Sequence, residues 1–437
     1  FRDPKVVLVV RMAPTVIMGK ASSPGAEAIS SSLVKDEEAS RASLLLAFYV
    51  TLLAVTNIVV IIPTARQYAE RLGADETFSG LTISLTPFFT VVGIFLNKWM
   101  LRFTSMKTVL FLMAFGGVIG NCLYALGGLI KSKWSILIAR SLVGLCAAQV
   151  IPPLYIAQAV KIQERSNAMF KYQSAAVSGY VLGPLLAWAL ESFMKEIHYE
   201  NLFLDSDTIP GWFMACVYLL LMLKVFIVFE NPPAISPSES REGYAALPLH
   251  GFLTCLYMIC AVTISNSMLE VYLSKIAAER WQWSVRATSL YIASVSAFLA
   301  PICLFAGRLA ALVQDRKGIM ILGPFGIIFS SLLLDFELGT FGEVTILTLG
   351  AVIILAVVTL TKPLIMSVVT KIVTPELKGF TSTLTIAFLC LGRGIGALLG
   401  SVMEPKTVTL AHVGIFGSTI ILTAANYSKL EQHHSAS

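Results

Sequence analysis

Residues 43–63 read SLLLAFYVTLLAVTNIVVIIP, twenty-one positions without one charged side chain. About 20 apolar residues cross the hydrocarbon core of a bilayer as a helix. Within that core every backbone N–H and C=O must be paired inside the chain, so such a stretch is predicted as a membrane-spanning helix. Eleven further stretches of the same kind follow, at 79–97, 107–129, 134–157, 173–191, 210–229, 249–272, 287–306, 318–334, 344–370, 380–402 and 408–426. The mean hydropathy is +0.78 and only 13% of the 437 residues are charged. The expectation is an all-α membrane protein of twelve spans. All seven cysteines (122, 146, 216, 255, 260, 303, 390) fall inside spans and read as small packing residues, not as disulfides or metal ligands.

The formal charge of +6 describes loops and does not point to nucleic acid. With both termini placed in the cytosol, segments on that side hold 19 Lys/Arg, counting Lys107 at the first position of span 3, and the opposite loops hold 9, which favours this orientation. Residues 1–42 are expected to be a mobile cytosolic tail, processed or incomplete since it does not begin with Met. Residues 230–248 carry Pro232, Pro233, Pro237 and Pro248, which no membrane helix tolerates together, and divide the spans six and six. The predicted organisation is a bundle at 43–229, a cytosolic linker at 230–248, a second bundle at 249–426 and a tail at 427–437.

The halves resemble each other. Lys161-Ile162-Gln163-Glu164-Arg165 follows span 4; Lys371-Ile372 and Glu376-Leu377-Lys378 follow span 10, about 210 positions later. Asn97-Lys98 after span 2 matches Asp315-Arg316 after span 8 at an offset of 218. Span 5 holds Gly179-x-x-x-Gly183, and span 11 holds Gly392-x-x-x-Gly396-x-x-x-Gly400. Small residues at every fourth position let helix backbones approach closely. A duplicated six-helix unit places a substrate site between the halves, near the bilayer midplane.

Gly93-x-x-x-Asn97-Lys98 with Arg102, Arg140-x-x-x-Gly144, and Asp315-Arg316-Lys317-Gly318 together resemble signatures of the major facilitator superfamily. Asn97 stands where Asp is usual, and Met100 where a second Gly is usual. Within that superfamily the chain is similar to the branch of SPX-MFS vacuolar phosphate transporters and the lysosomal ceroid-lipofuscinosis protein. The likeness is carried by Asn57 to Pro63-Thr64, Tyr68-Ala69, Leu72-Gly73-Ala74, Ser79-Gly80-Leu81, Thr86-Pro87 and Pro210-Gly211-Trp212, and by Glu164-Arg165-Ser166 with Met169. The resemblance implies two pseudo-symmetric bundles working by alternating access in a vacuolar, lysosomal or other endomembrane. No SPX domain is expected within residues 1–42, so inositol-phosphate sensing is not carried over. Phosphate-carrying members hold several arginines late in span 4, whereas Gln149 to Tyr155 holds none. That departure weighs against phosphate.

Charge in hydrocarbon is costly and needs a reason. Arg393 lies about 13 residues into span 11, roughly 20 Å deep at 1.5 Å per residue. Its guanidinium fork suits an oxyanion. Lys362 precedes Pro363, which is expected to kink span 10. These two are the leading candidates for substrate binding, with Asn57, Gln149 and Tyr155 as neutral candidates. Glu270, placed at the outer end of span 7, is the candidate proton-coupling carboxylate; the resemblance adds Arg140. Lys224 reads as a snorkelling residue. Gly93, Asn97, Lys98, Arg102, Asp315 and Arg316 are expected to hold the cytosolic ends together between conformations.

The predicted function is secondary-active transport of a small solute, an anion of phosphate-like or organic type, with or without proton coupling, by a monomer in contact with lipid. An anion channel of the same fold and a non-transporting partner or sensor are the alternatives. No nucleotide-binding loop, metal cluster or nucleophile–base pair is found, so no cofactor, metal or enzymatic activity is expected. All five histidines (198, 250, 412, 433, 434) lie at span ends or beyond.

Overall fold

A computed structural model describes residues 24–160, 162–194, 204–232, 249–299, 301–302, 315–334, 339–373, 378–428 and 430. Among them stand fourteen α-helices and no β-sheet. The first half holds α1 (Pro24–Val59), α2 (Ile62–Arg71), α3 (Glu76–Met100), α4 (Met106–Ile130), α5 (Lys133–Leu145), α6 (Ile151–Ala159), α7 (Ile162–Met194) and α8 (Ile209–Val228). The second holds α9 (Leu249–Glu279), α10 (Val285–Ala297), α11 (Asp315–Ser330), α12 (Gly339–Ile372), α13 (Lys378–Val402) and α14 (Pro405–Ala425). Ten segments are long and apolar enough to cross a membrane. Span 4 is divided between α5 and α6, and α10 forms the described part of span 8. The twelve expected spans are thereby accounted for, in two six-helix bundles. The tail 1–23, the linker 233–248, Lys161, the 374–377 part of the repeated motif and Cys303 lie outside the described residues.

Several boundaries differ from the sequence reading. α1 begins at Pro24, so residues 24–42, expected as a mobile tail, are helical. Span 1 does not stop at Pro63. The helix breaks at 60–61 and restarts as α2, with Pro63 in its first turn, where a missing N–H costs nothing. Span 4 breaks at 146–150 and restarts with Pro152 and Pro153 in the first turn of α6. Pro363 does not interrupt α12.

Each half has its own apolar core. One is drawn mostly from Leu46 to Phe229, the other from Phe252 to Leu430. The repeated glycines explain the internal packing. A Cβ on Gly396 would meet the Ile264 carbonyl at 2.4 Å, and Gly392 and Gly400 approach the α9 backbone equally closely. Gly179 and Gly183 seat α7 on α1 in the same manner. Spans 5 on 1 and 11 on 7 are therefore equivalent contacts in the two halves. The halves meet along α3 and α13, where Phe88 packs on Gly394 and Ile94 lies with Ala387 and Cys390. Apolar side chains such as Leu220, Phe226 and Ile227 of α8 point outward and are exposed, as a lipid-facing surface requires.

Candidate functional site

Between the halves lies a cavity of about 110 Å³, lined from α1, α3, α7 and the break between α5 and α6 on one side and from α9, α10, α12 and α13 on the other. Space of that size holds several waters or one small solute, at ~10–15 Å³ for each water centre. Arg393, Lys362, Glu270 and Gln149 all line it, although they come from four different spans.

Arg393 is 5% exposed. Its Nη1 donates to the Tyr180 hydroxyl of the first half at 2.5 Å, and its guanidinium lies 4.6 Å from the centre of that ring. Its Nη2 stands 3.6 Å from Oε2 of Glu270. Neither of those two atoms has a hydrogen-bond partner among the described residues. At 3.6 Å the two form an ion pair beyond hydrogen-bond distance, so each keeps hydrogen-bonding capacity that an oxyanion or water beside the pair can use. Asn266 links the remaining charges: its Nδ2 donates to Oε1 of Glu270 at 2.5 Å, and its Oδ1 accepts from Lys362 Nζ at 3.4 Å. Gln149 accepts from Cys390 Sγ at 3.3 Å, a second polar contact between the halves.

Glu270 is not at a helix end. α9 continues to Glu279, nine residues or about 14 Å further, because Tyr272, Leu273, Ile276 and Ala277 carry the buried apolar face onward. Pro363 lacks the N–H that would bond the Thr359 carbonyl, and Thr359 lines the cavity one turn from Lys362.

Two neutral candidates do not join this cluster. Asn57 is buried, and its backbone carbonyl accepts from Arg140 Nη2 at 3.0 Å; it is absent from the cavity wall. Tyr155 packs on Phe229 at 5.2 Å between ring centres, inside the first core. Arg140 is fully buried among Asn57 and Tyr124, also off the cavity. Lys224 lies 4.8 Å over the Tyr49 ring.

The loop signatures act mostly within their own halves. Asn97 Nδ2 donates at 2.9 Å to the Ala147 carbonyl, one of those freed by the break in span 4. A carboxylate at 97 could only accept, so the amide suits this contact. Gly93 lets α3 approach the Leu145 carbonyl, and Gly144 lets α5 approach that of Thr86. Asp315 accepts from Lys371 Nζ at 2.5 Å and Ser367 Oγ at 2.8 Å, and Arg316 donates to the Tyr427 carbonyl at 2.6 Å. Lys98 makes a contact across the halves, over the Phe380 ring at 5.7 Å. Arg102 is exposed.

Sequence reasoning missed Tyr180, Gln173 and Cys390 as lining residues, and noted Asn266 only as a neighbour. Tyr180 carries one signal: it follows Gly179, which faces α1, by one 100° step, and so turns toward the bundle interface.

The Major Facilitator Superfamily profile matches residues 44–397. The chain belongs to the major facilitator superfamily. With membership comes the multi-pass membrane architecture described above. This superfamily member is 33% identical over 209 residues to an SPX domain-containing membrane protein of Arabidopsis thaliana, covering 46% of the chain and 29% of the relative. It is 30% identical over 215 residues to one of Oryza sativa subsp. indica, covering 48% and 30%. The matches thus span less than a third of those relatives' length. Solved structures of the same fold include a bacterial homologue of the human lysosomal transporter Spinster (TM-score 0.65, 16% identity, 90% and 96% of the two chains covered). Others are a D-xylose-proton symporter (TM-score 0.69, 14%, 91% and 99%) and the human organic anion transporter MFSD10 (TM-score 0.61, 15%, 90% and 99%).

Proposed function

We propose that the chain carries a small anion across an endomembrane, vacuolar or lysosomal, by alternating access of bundles 43–229 and 249–426. The single observation that supports this is the cluster of Arg393, Lys362 and Glu270 inside one chamber shared by both halves. The guanidinium offers an unbonded Nη2 to an oxyanion, and charge-assisted hydrogen bonds of that type are the strong ones. Glu270 competes with the substrate for Arg393. Its protonation state sets the charge of the chamber, which makes it the proton-coupling group in this reading. Arg140 then acts on helix positions through the Asn57 carbonyl, not on substrate.

A carrier is favoured over a channel by the seal at the end of the bundles remote from the chain termini. There Arg66 of α2 pairs with Glu279 of α9, and Ser401 of α13 fills the space beside Gly80 of α3. With the termini in the cytosol, this seal faces the lumen. The test is uptake by a monomer reconstituted in liposomes, across a panel of anions, with and without a pH gradient. Saturable uptake with counter-transport, abolished in a folded Arg393→Leu variant, is expected. Unitary currents, or uptake unchanged in that variant, would remove the reading.

A further inference from the structure

We propose that the cavity is built for an organic monoanion with an apolar body, not for inorganic phosphate; this rests on the anion-carrier reading above. The charges that line the cavity are Arg393, Lys362 and Glu270, a formal sum of +1 among the described residues. A single negative charge neutralises that sum. A dianion would leave one excess charge in a dry site, where an uncompensated charge is expensive.

The charges are also placed on one side. All three belong to the second half, on α9, α12 and α13. The facing wall carries no charge: Val50, Ala54, Val55 and Ile58 make it apolar along α1, while Thr51, Gln149, Tyr172, Gln173 and Tyr180 add neutral polar groups. Phosphate presents oxygens in every direction and would set some of them against the apolar stretch of α1. A molecule with one anionic head and an alkyl or aromatic body satisfies both walls. Its head meets Arg393 Nη2, which lacks a hydrogen-bond partner, and its body replaces water along α1. The sign of the cavity depends on Glu270, so neutralising that residue raises the formal sum to +2 and favours a divalent substrate.

The probe is a series of linear alkanesulfonates, from methane- to hexanesulfonate, which keep one negative charge at every working pH. Purified protein in liposomes should carry them with a KM that falls about threefold to fourfold per methylene, as burial of each CH₂ implies. Inorganic phosphate and butane-1,4-disulfonate should be poor substrates. Glu270→Gln should raise disulfonate uptake relative to butanesulfonate about tenfold. Ligand-induced thermal stabilisation of the wild-type protein reads the same series without any variant. Preference for phosphate or disulfonate over the monosulfonates in wild type, or affinity independent of chain length, would overturn this inference and leave the carrier reading standing. An unchanged disulfonate ratio in folded Glu270→Gln would also overturn it. Absence of both uptake and stabilisation for every anion would overturn the two together.

Discussion

Arg393 and Tyr180 stand 213 positions apart in the chain, yet the guanidinium Nη1 of one donates to the hydroxyl of the other at 2.5 Å. The bond joins the second half to the first at the wall of the shared cavity. It also sets the plane of the guanidinium, so that Nη2 is turned to Glu270.

Removing that hydroxyl should loosen the proposed anion site without removing its charge. Tyr180→Phe keeps the ring 4.6 Å under the guanidinium. A hydrogen bond to a charged group contributes ~1.5–3 kcal/mol. The expected result is a KM for the transported anion raised about tenfold or more, with the melting temperature in detergent little changed. KM equal to wild type would show that Tyr180 does not position Arg393.

Arg66 and Glu279 close the end of the bundles remote from the termini, each with about a third of its side chain exposed. A pair in that setting is worth ~0.5–1 kcal/mol. Glu279→Ala should therefore raise the open population at that end about twofold to fivefold. Ser79 lies beside Arg66 in the small cleft beneath the pair. In a Ser79→Cys background, labelling by a membrane-impermeant maleimide should quicken by the same factor.

Gly396 has no room for a side chain, since a Cβ there would stand 2.4 Å from the Ile264 carbonyl. Gly396→Val must push α13 away from α9. Overpacking of this kind costs about 1–3 kcal/mol, and backbone cannot yield as a flexible side chain would. A clear fall in melting temperature is expected, with loss of transport, because Arg393 rides on the same helix. Gly414, with open space around its Cβ position, is the control: Gly414→Ala should be neutral.

Asp207 sits in the turn before α8, 1% exposed, with Arg71 Nη1 3.2 Å from its Oδ2. Burial, with Asp205 and Glu191 nearby, pushes its carboxyl up to about 7 against the pull of Arg71. The folded state therefore holds a proton that the unfolded state releases above pH 3.8. Stability from this group is fully present below that value and is lost as pH rises to about 7, at no more than about 1.4 kcal/mol per pH unit. Melting temperature should fall between pH 5 and pH 7 by this contribution, and Asp207→Asn should flatten that part of the profile. An identical slope in the variant would assign the pH response to other groups.

Much of the site was legible because hydrocarbon makes charge conspicuous. Arg393 and Lys362 had to face something other than lipid, and they line one chamber. The spacing of Gly392, Gly396 and Gly400 announced a close helix contact, though not that α9 would make it. Other residues resisted reading. Asn57 and Tyr155 are polar residues in apolar spans, like Gln149, but only Gln149 lines the cavity. Both lie inside the first bundle instead, where the Asn57 backbone holds Arg140 and the Tyr155 ring packs on Phe229. Glu270 was placed at a span end because the apolar run stops near it, whereas the helix itself runs on to Glu279.

The sequence by itself determined that this chain crosses a membrane as two sets of helices. Apolar length, proline placement and the sign of loop charges are local properties, and the bilayer permits few structures that obey them. Only the tertiary structure decided which side chains meet: Arg393 with Tyr180, Asn97 with the broken span 4, Arg66 with Glu279. Each of these contacts joins residues from different helices. The rotation and depth of one helix against another are fixed by packing over the whole interface, which no single stretch of sequence encodes.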